Sequence, residues 1–175
     1  MSTQETNIYV ACLSAYNNGK LHGAWISCDY TTVDKIQEQI DAMLAESPEP
    51  DAEEYAIHDS EGFGKFKVSE HADLEELVEL ADLIEKYGDA AMALTEYETD
   101  IERMKTLLED GFMGKYSSKD EWAEEFLTDT GLLPNNNLVR LYFNYTAYAR
   151  DCELSGDVQF IEYSYNKVFV FDGHI

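Results

Sequence analysis

NIYVACLSAYNNGKLHGAWISCDYTTVDKIQEQI, residues 7–40, carries two different hydrophobic periods in succession. NIYVACL (7–13) and GAWISC (23–28) are short, partly alternating apolar runs on either side of the turn-rich YNNGKLHG, which predicts strand, loop, strand. The period then lengthens. Val33, Ile36, Ile40, Met43 and Leu44 recur at helical spacing, with Thr31 and Asp34 placed as a capping box and Ser47-Pro48 as the stop. Sheet residues feeding directly into an amphipathic helix make this an α+β chain rather than an all-helical one.

Outward from there, YAIHD (55–59) predicts a third strand and closes an N-terminal α+β module over residues 1–61. Residues 62–110 read as a central helical module. Leu74, Leu77, Val78, Ala81 and Ile84 share one stripe, and Glu75, Glu79 and Asp82 ride the opposite ridge. After Gly88, Leu94, Tyr97, Ile101, Met104 and Leu108 alternate at spacings of three and four, too few for a coiled coil, so two or more short helices are expected. Residues 111–175 read as a C-terminal α+β module. FMGKY (112–116) is a strand, and Ser118 with Glu121 caps KDEWAEEFLTD, with Trp122, Phe126 and Leu127 facing inward. Leu138, Leu141, Tyr142, Tyr145 and Tyr148 predict further helix to about Leu154, and DVQFIEYSY with KVFVFDG predicts a terminal β-hairpin.

With 45% hydrophobic and 13% aromatic residues, 175 residues can bury real cores, which excludes a disordered chain. The N-terminus MSTQETNIYV has no basic and apolar leader pattern, and there is no membrane-length apolar run, so a soluble cytoplasmic protein is expected. Cys12, Cys28 and Cys152 form no C-x-x-C pair and point to reduced core thiols.

Catalytic patterns are weak. His22, His58, His71 and His174 are scattered, and in HDSEG (58–62) neighbouring strand residues point to opposite faces and form no triad. GFGK (62–65) lacks phosphate-loop spacing and would draw an anion towards a chain of formal charge −24. DCELSGDVQFIE (151–162) places Asp151, Glu153, Ser155, Asp157 and Glu162 at positions 1, 3, 5, 7 and 12 of a calcium loop. A helix ending at Gly156 before the hairpin accounts for the same letters, so a calcium-binding or generic acidic binding protein is the alternative reading. No cofactor is expected.

The charge itself is the main signal. Residues 1–61 hold 12 acids and 2 bases, 62–110 hold 14 and 5, and 111–175 hold 10 and 5, so the acidity is no tail. Asp34, Glu38 and Asp41 form one helical row, Glu75, Glu79 and Asp82 a second, and Glu121, Glu124 and Glu125 a third. Within such a row neighbours stand about 5–6 Å apart. A line of negative charge on that scale is what a nucleic-acid strand presents, so the best-suited partner is a DNA-binding protein. Glu96, Glu98, Asp100, Glu102, Glu109, Asp110 and Asp120 complete the candidate face. A plain solvated surface suits the same rows, and the residues alone leave both readings open.

IYVACLSAYNNGKLHGAWI, EEYAIHDSEGF, EEFLTDTGLLPNNN, NYTAYARDCELSGD and the closing hairpin together resemble the ArdA-type antirestriction proteins carried by mobile elements, in order along nearly the whole chain. The resemblance implies three small modules in an elongated homodimer whose acidic surface mimics bent B-form DNA. It would occupy the DNA-binding groove of type I restriction-modification enzymes, in the methyltransferase and specificity core, without catalysis, cofactor, membrane or direct nucleic-acid contact. Ala24 stands where the family commonly has arginine, and Ser60 where an aromatic residue is frequent. The family's signature segment matches FLTDTGLLPNNN, which implies a dimer-interface role for Leu132, Leu133, Pro134 and Asn135.

Overall fold

A computed structural model describes residues 5–175; residues 1–4, where the reading of the N-terminus as leaderless begins, lie outside the described residues. The chain is α+β and divides into two compact units, one ending at Ile101 and one running from Glu102 to Ile175.

The first unit is built on an antiparallel sheet of order β2-β1-β3, from β1 (Asn7–Cys12), β2 (Gly23–Ser27) and β3 (Tyr55–Glu61). Alternation decides its two faces: Ile8, Val10 and Ile26 are buried, while Tyr9 and Trp25 pair across the ladder on the other face. Helix α2 (Val33–Ala45) packs over β2 and β1 through Ile36, Ile40 and Met43. Its cap is Thr32 rather than the expected Thr31. Thr32 holds the extended backbone an N-cap needs, and its hydroxyl accepts the Lys35 N–H. The loop between β1 and β2 contains an unforeseen turn of helix, α1 (Leu13–Asn17), too short to show a period.

Helix α3 (Leu74–Tyr87) is capped by Asp73, which accepts from the Glu75 N–H at 2.8 Å, and ends at Gly88 with φ 54°. Its buried face is wider than the predicted stripe. Leu80 and Leu83 are buried as well, and Val78 only partly so, because α3 lies against both α2 and α4 (Asp89–Leu94). The run from Leu94 to Leu108 divides into short helices as expected, with the break after α4. The Glu98 carboxylate accepts from the Thr99 and Asp100 N–H groups at 2.8 and 2.9 Å, closing a turn that competes with helix and leaving Tyr97 exposed.

The GFGK loop is a structural latch. Buried Thr95 accepts the Lys65 N–H at 2.9 Å and donates to the Met92 carbonyl at 2.6 Å, and Phe63 is sunk into the core. Gly64, at φ 62°, has no room for a side chain, because a Cβ there would stand 2.4 Å from the Thr95 hydroxyl. Replacing Thr95 by valine keeps the shape and removes both bonds; we expect a loss of about 1–3 kcal/mol in denaturant unfolding.

The second unit opens with α5 (Ile101–Glu109), whose first residue lies at the division, and carries a sheet of order β4-β6-β5. Its strands are β4 (Phe112–Tyr116), β5 (Val158–Ser164) and central β6 (Lys167–Asp172), all antiparallel. The foreseen hairpin is β5 and β6, turned with Asn166 at φ 56°. Helix α6 (Lys119–Asp129) begins at the Ser118 cap, but Glu121 completes the motif differently: its carboxylate accepts from the Ser117 N–H and hydroxyl instead of closing back on Ser118. Trp122 is fully buried, with Phe126 and Tyr148 stacked on it at 5.2 and 6.3 Å and Phe160 edge-on at 5.1 Å. The further helix expected to about Leu154 comes as two, α7 (Asn137–Tyr142) and α8 (Tyr145–Ser155), because Phe143 is extended and Asn144 caps a new start on the Ala147 N–H.

Candidate partner-binding surface

In the first unit Asp34, Glu38 and Asp41 are exposed along α2. The Gln37 amide donates to Asp41 at 2.8 Å and holds that carboxylate on the ridge. On α3, Glu75 and Asp82 are exposed and Glu79 is half-buried. The tertiary structure lengthens this row. Partial loss of hydration, then the neighbouring charges of Glu85, Glu79 and Asp29, push the Asp82 carboxyl above its ordinary range. Asp29 comes from the loop after β2, anchored by the backbone N–H and hydroxyl of buried Thr6. The exposed Tyr30 phenol is bonded to Glu85, which raises its pKa and holds the proton on the tyrosine.

Helical spacing continues from Asp82 to Glu85, so Glu85 was legible in the sequence. Asp29 lies off the helix, and no periodicity could bring it there. The raised carboxyl has a consequence for stability. A folded-state pKa above the unfolded one contributes stability that is present at acid pH and lost as pH rises through the folded value. Asp82→Asn is therefore expected to raise the thermal midpoint at neutral pH, with the gain vanishing below the carboxylate range. Paired melting curves from acid to neutral pH would check it.

Between the helical rows, Glu96 and Asp100 are exposed, while Glu98 closes the turn described above. Glu102 on α5 is exposed, as are Glu109 at its end and Asp110 beyond it. On α6, Asp120, Glu121, Glu124 and Glu125 are exposed, and Asp120 takes the Thr146 hydroxyl at 2.7 Å. Its bonds to Ser117 hold the Glu121 carboxyl below the usual range. Burial and the charges of Glu125 and Asp129 raise Tyr116, whose phenol is also bonded to Glu125. The ridge sensed there is Glu121, Glu125 and Asp129, at successive spacings of four, and Glu124 sits off it. In each unit, then, a tyrosine hydroxyl is bonded to a carboxylate of the α3 or α6 ridge.

The alternative ion loop is not assembled. Asp151, Glu153 and Ser155 are helical, and α8 ends in the left-handed Gly156 before Val158 begins β5. Asp151 meets Arg150, while Glu153 and Glu162 share Lys119 at 2.8 and 3.5 Å. Ser155 donates to Asp157 at 2.6 Å. Among the described residues no three metal-ligating side chains converge. In HDSEG, His58 is the extra residue of a β-bulge, its ring edge-on to Tyr16 at 4.7 Å, and Asp59 accepts the Ser60 N–H. No triad forms there. The cysteines are free thiols, Cys12 and Cys28 buried and Cys152 partly so.

The segment expected at a dimer contact is mostly outside the core. Leu132, Pro134 and Asn135 are exposed, and Leu133 is a buried anchor whose N–H donates to the Leu127 carbonyl. Helix α7, which follows, has no buried residue and presents Leu138, Val139, Leu141 and Tyr142 to solvent.

A protein-family model described as antirestriction protein (ArdA) matches residues 8–167. The chain belongs to the ArdA family. A search of curated proteins gives no match. The ArdA match spans the ridges of α2, α3 and α6 and the α7 segment alike, and the family is one of antirestriction proteins. Among the described residues no helix is long and apolar enough to cross a membrane.

Proposed function

We propose that this ArdA protein blocks type I restriction-modification enzymes by standing in for B-form DNA in the binding groove of their methyltransferase and specificity core. The observation that carries this reading is the exposure of regularly spaced carboxylates along α2, α3 and α6, several of them oriented by side-chain bonds. A groove built to neutralise phosphates attracts such rows. Phosphate-type contacts carry no base sequence, so inhibition extends to type I enzymes of different recognition sequence.

On this reading the protein acts in the cytoplasm, on the enzyme and not on DNA, and is carried by a mobile element. It works as a homodimer joined through the segment around Leu132, Pro134, Asn135 and α7, where Leu132, Leu138, Val139, Leu141 and Tyr142 are exposed. Patches of this kind mark interaction sites. The acidity runs through three successive stretches, 1–61, 62–110 and 111–175, so each of them brings carboxylates to the partner.

The test is displacement of a labelled duplex from a type I methyltransferase core, repeated across salt concentration. Displacement that weakens steeply with salt is the expected result, since binding releases condensed ions. Absence of displacement at every salt concentration would return the ridges to ordinary solvated surface.

A further inference from the structure

The first sheet has a face that the acidic helices do not use. Residues directly opposite in a ladder point to one side, so Trp25, Tyr9 and Asp59 form a row across β2, β1 and β3, and Ser27, Asn7 and Glu61 form the next. The opposite face carries Ile8, Val10 and Ile26 into the core. Trp25 is 47% exposed and lies 5.4 Å from the Tyr9 ring, tilted by 54°. Tyr9 is partly exposed, and Asp59 and Glu61 are exposed. Gly23 sets the depth of this surface: a Cβ there would come within 2.7 Å of the Tyr9 hydroxyl, so glycine lets the ring settle along the strand. The Asp59 carboxylate is steadied by the Ser60 N–H at 2.8 Å.

Two aromatic rings beside two carboxylates suit one cation better than any other. A guanidinium is planar and weakly hydrated; it stacks on an aromatic face while its N–H groups fork onto a carboxylate. An ammonium is strongly hydrated and lacks the fork. The surroundings favour a cation too, with 12 acids against 2 bases in residues 1–61.

We propose that the open face of the first sheet is an arginine-reading contact, in which Trp25 and Tyr9 stack on a guanidinium of the protein partner and Asp59 or Glu61 pairs with it. This rests on the reading that the partner is a DNA-binding protein, whose phosphate contacts include arginine. It adds a selective contact to rows that read charge alone.

The chain carries its own probe. Trp122 is buried at 1% exposure, so a ligand-dependent change in emission reports on Trp25. The full-length protein is titrated with a short arginine–glycine peptide and with its lysine–glycine counterpart at about physiological salt, where surface attraction is screened beyond roughly 8 Å. The arginine peptide is expected to shift Trp25 emission and to bind roughly two- to fivefold more tightly than the lysine peptide. Trp25→Leu, followed by calorimetry because it removes the fluorescent probe, should abolish that preference at an unchanged thermal midpoint. Asp59→Asn should weaken arginine binding with the tryptophan still present, which keeps the test decisive if Trp25→Leu misfolds. Equal affinity for both peptides, or a preference that survives both substitutions, overturns the proposal. The two readings fail separately: failed DNA competition with intact arginine preference sinks the mimicry, and the reverse sinks only this contact.

Discussion

Neutralising Glu75, Glu79, Asp82 and Glu85 together, as E75Q/E79Q/D82N/E85Q, is expected to weaken displacement of duplex from a type I core by at least about tenfold and to flatten its salt dependence. Each phosphate-like contact adds up to roughly one to the slope of log affinity against log salt, so four removed charges change that slope visibly. One charge at a time does little. An exposed carboxylate contributes under about 1 kcal/mol, and its neighbours hold the local field. The quadruple variant should remain folded, because the amides keep the side chains' size, and the Asp82 carboxyl, raised first by desolvation and then by neighbouring carboxylates, no longer carries a charge. A lost inhibitor that is still fully folded is the diagnostic pairing. If the variant competes like the parent at every salt concentration, the α3 ridge is plain solvated surface.

Trp122→Ala should produce the largest loss of stability. Its ring lies between Phe126, Tyr148 and Phe160 and is buried with Ala123, Ala149, Val158, Phe160, Val168 and Val170. Truncating a buried tryptophan costs about 3–5 kcal/mol, and small domains have only about 5–15 kcal/mol in all. A fall in the melting temperature of the second unit on the order of 20 °C is expected. Amide hydrogen exchange localises it: protection should collapse across β5, β6 and α8. Trp122→Phe, which keeps a ring in the cavity, should recover part of the loss. A midpoint within a few degrees of the parent would mean that the three facing rings close the cavity by themselves.

Much of this was readable before the structure, for a definite reason. Where one face of an element is buried, its period must be written in the residues, and the strands at Asn7–Cys12 and Gly23–Ser27, the helix at Lys119–Asp129 and the terminal hairpin appear where alternation and helical spacing placed them. Periodicity failed where local hydrogen bonds competed with it. Leu94 to Leu108 falls in short helices as expected, yet the spacing does not mark where they part, at the Glu98 carboxylate that ties up the N–H groups of Thr99 and Asp100. Phe143 and Asn144 divide α7 from α8 in the same way. A side chain bonding to the backbone one to three residues away leaves no trace in a hydrophobic pattern.

The charge of the chain, its α+β character and the rows along single helices were determined by the sequence by itself, because each depends on composition or on spacing within one element. The tertiary structure decided which carboxylates act together. Only folding brings Asp29 into the α3 cluster, bonds Tyr30 to Glu85 and Tyr116 to Glu125, and gives Glu153 and Glu162 to Lys119. It also sets Trp25, Tyr9 and Asp59 in one row, since strands far apart in sequence become neighbours only when a ladder of backbone hydrogen bonds chooses their register.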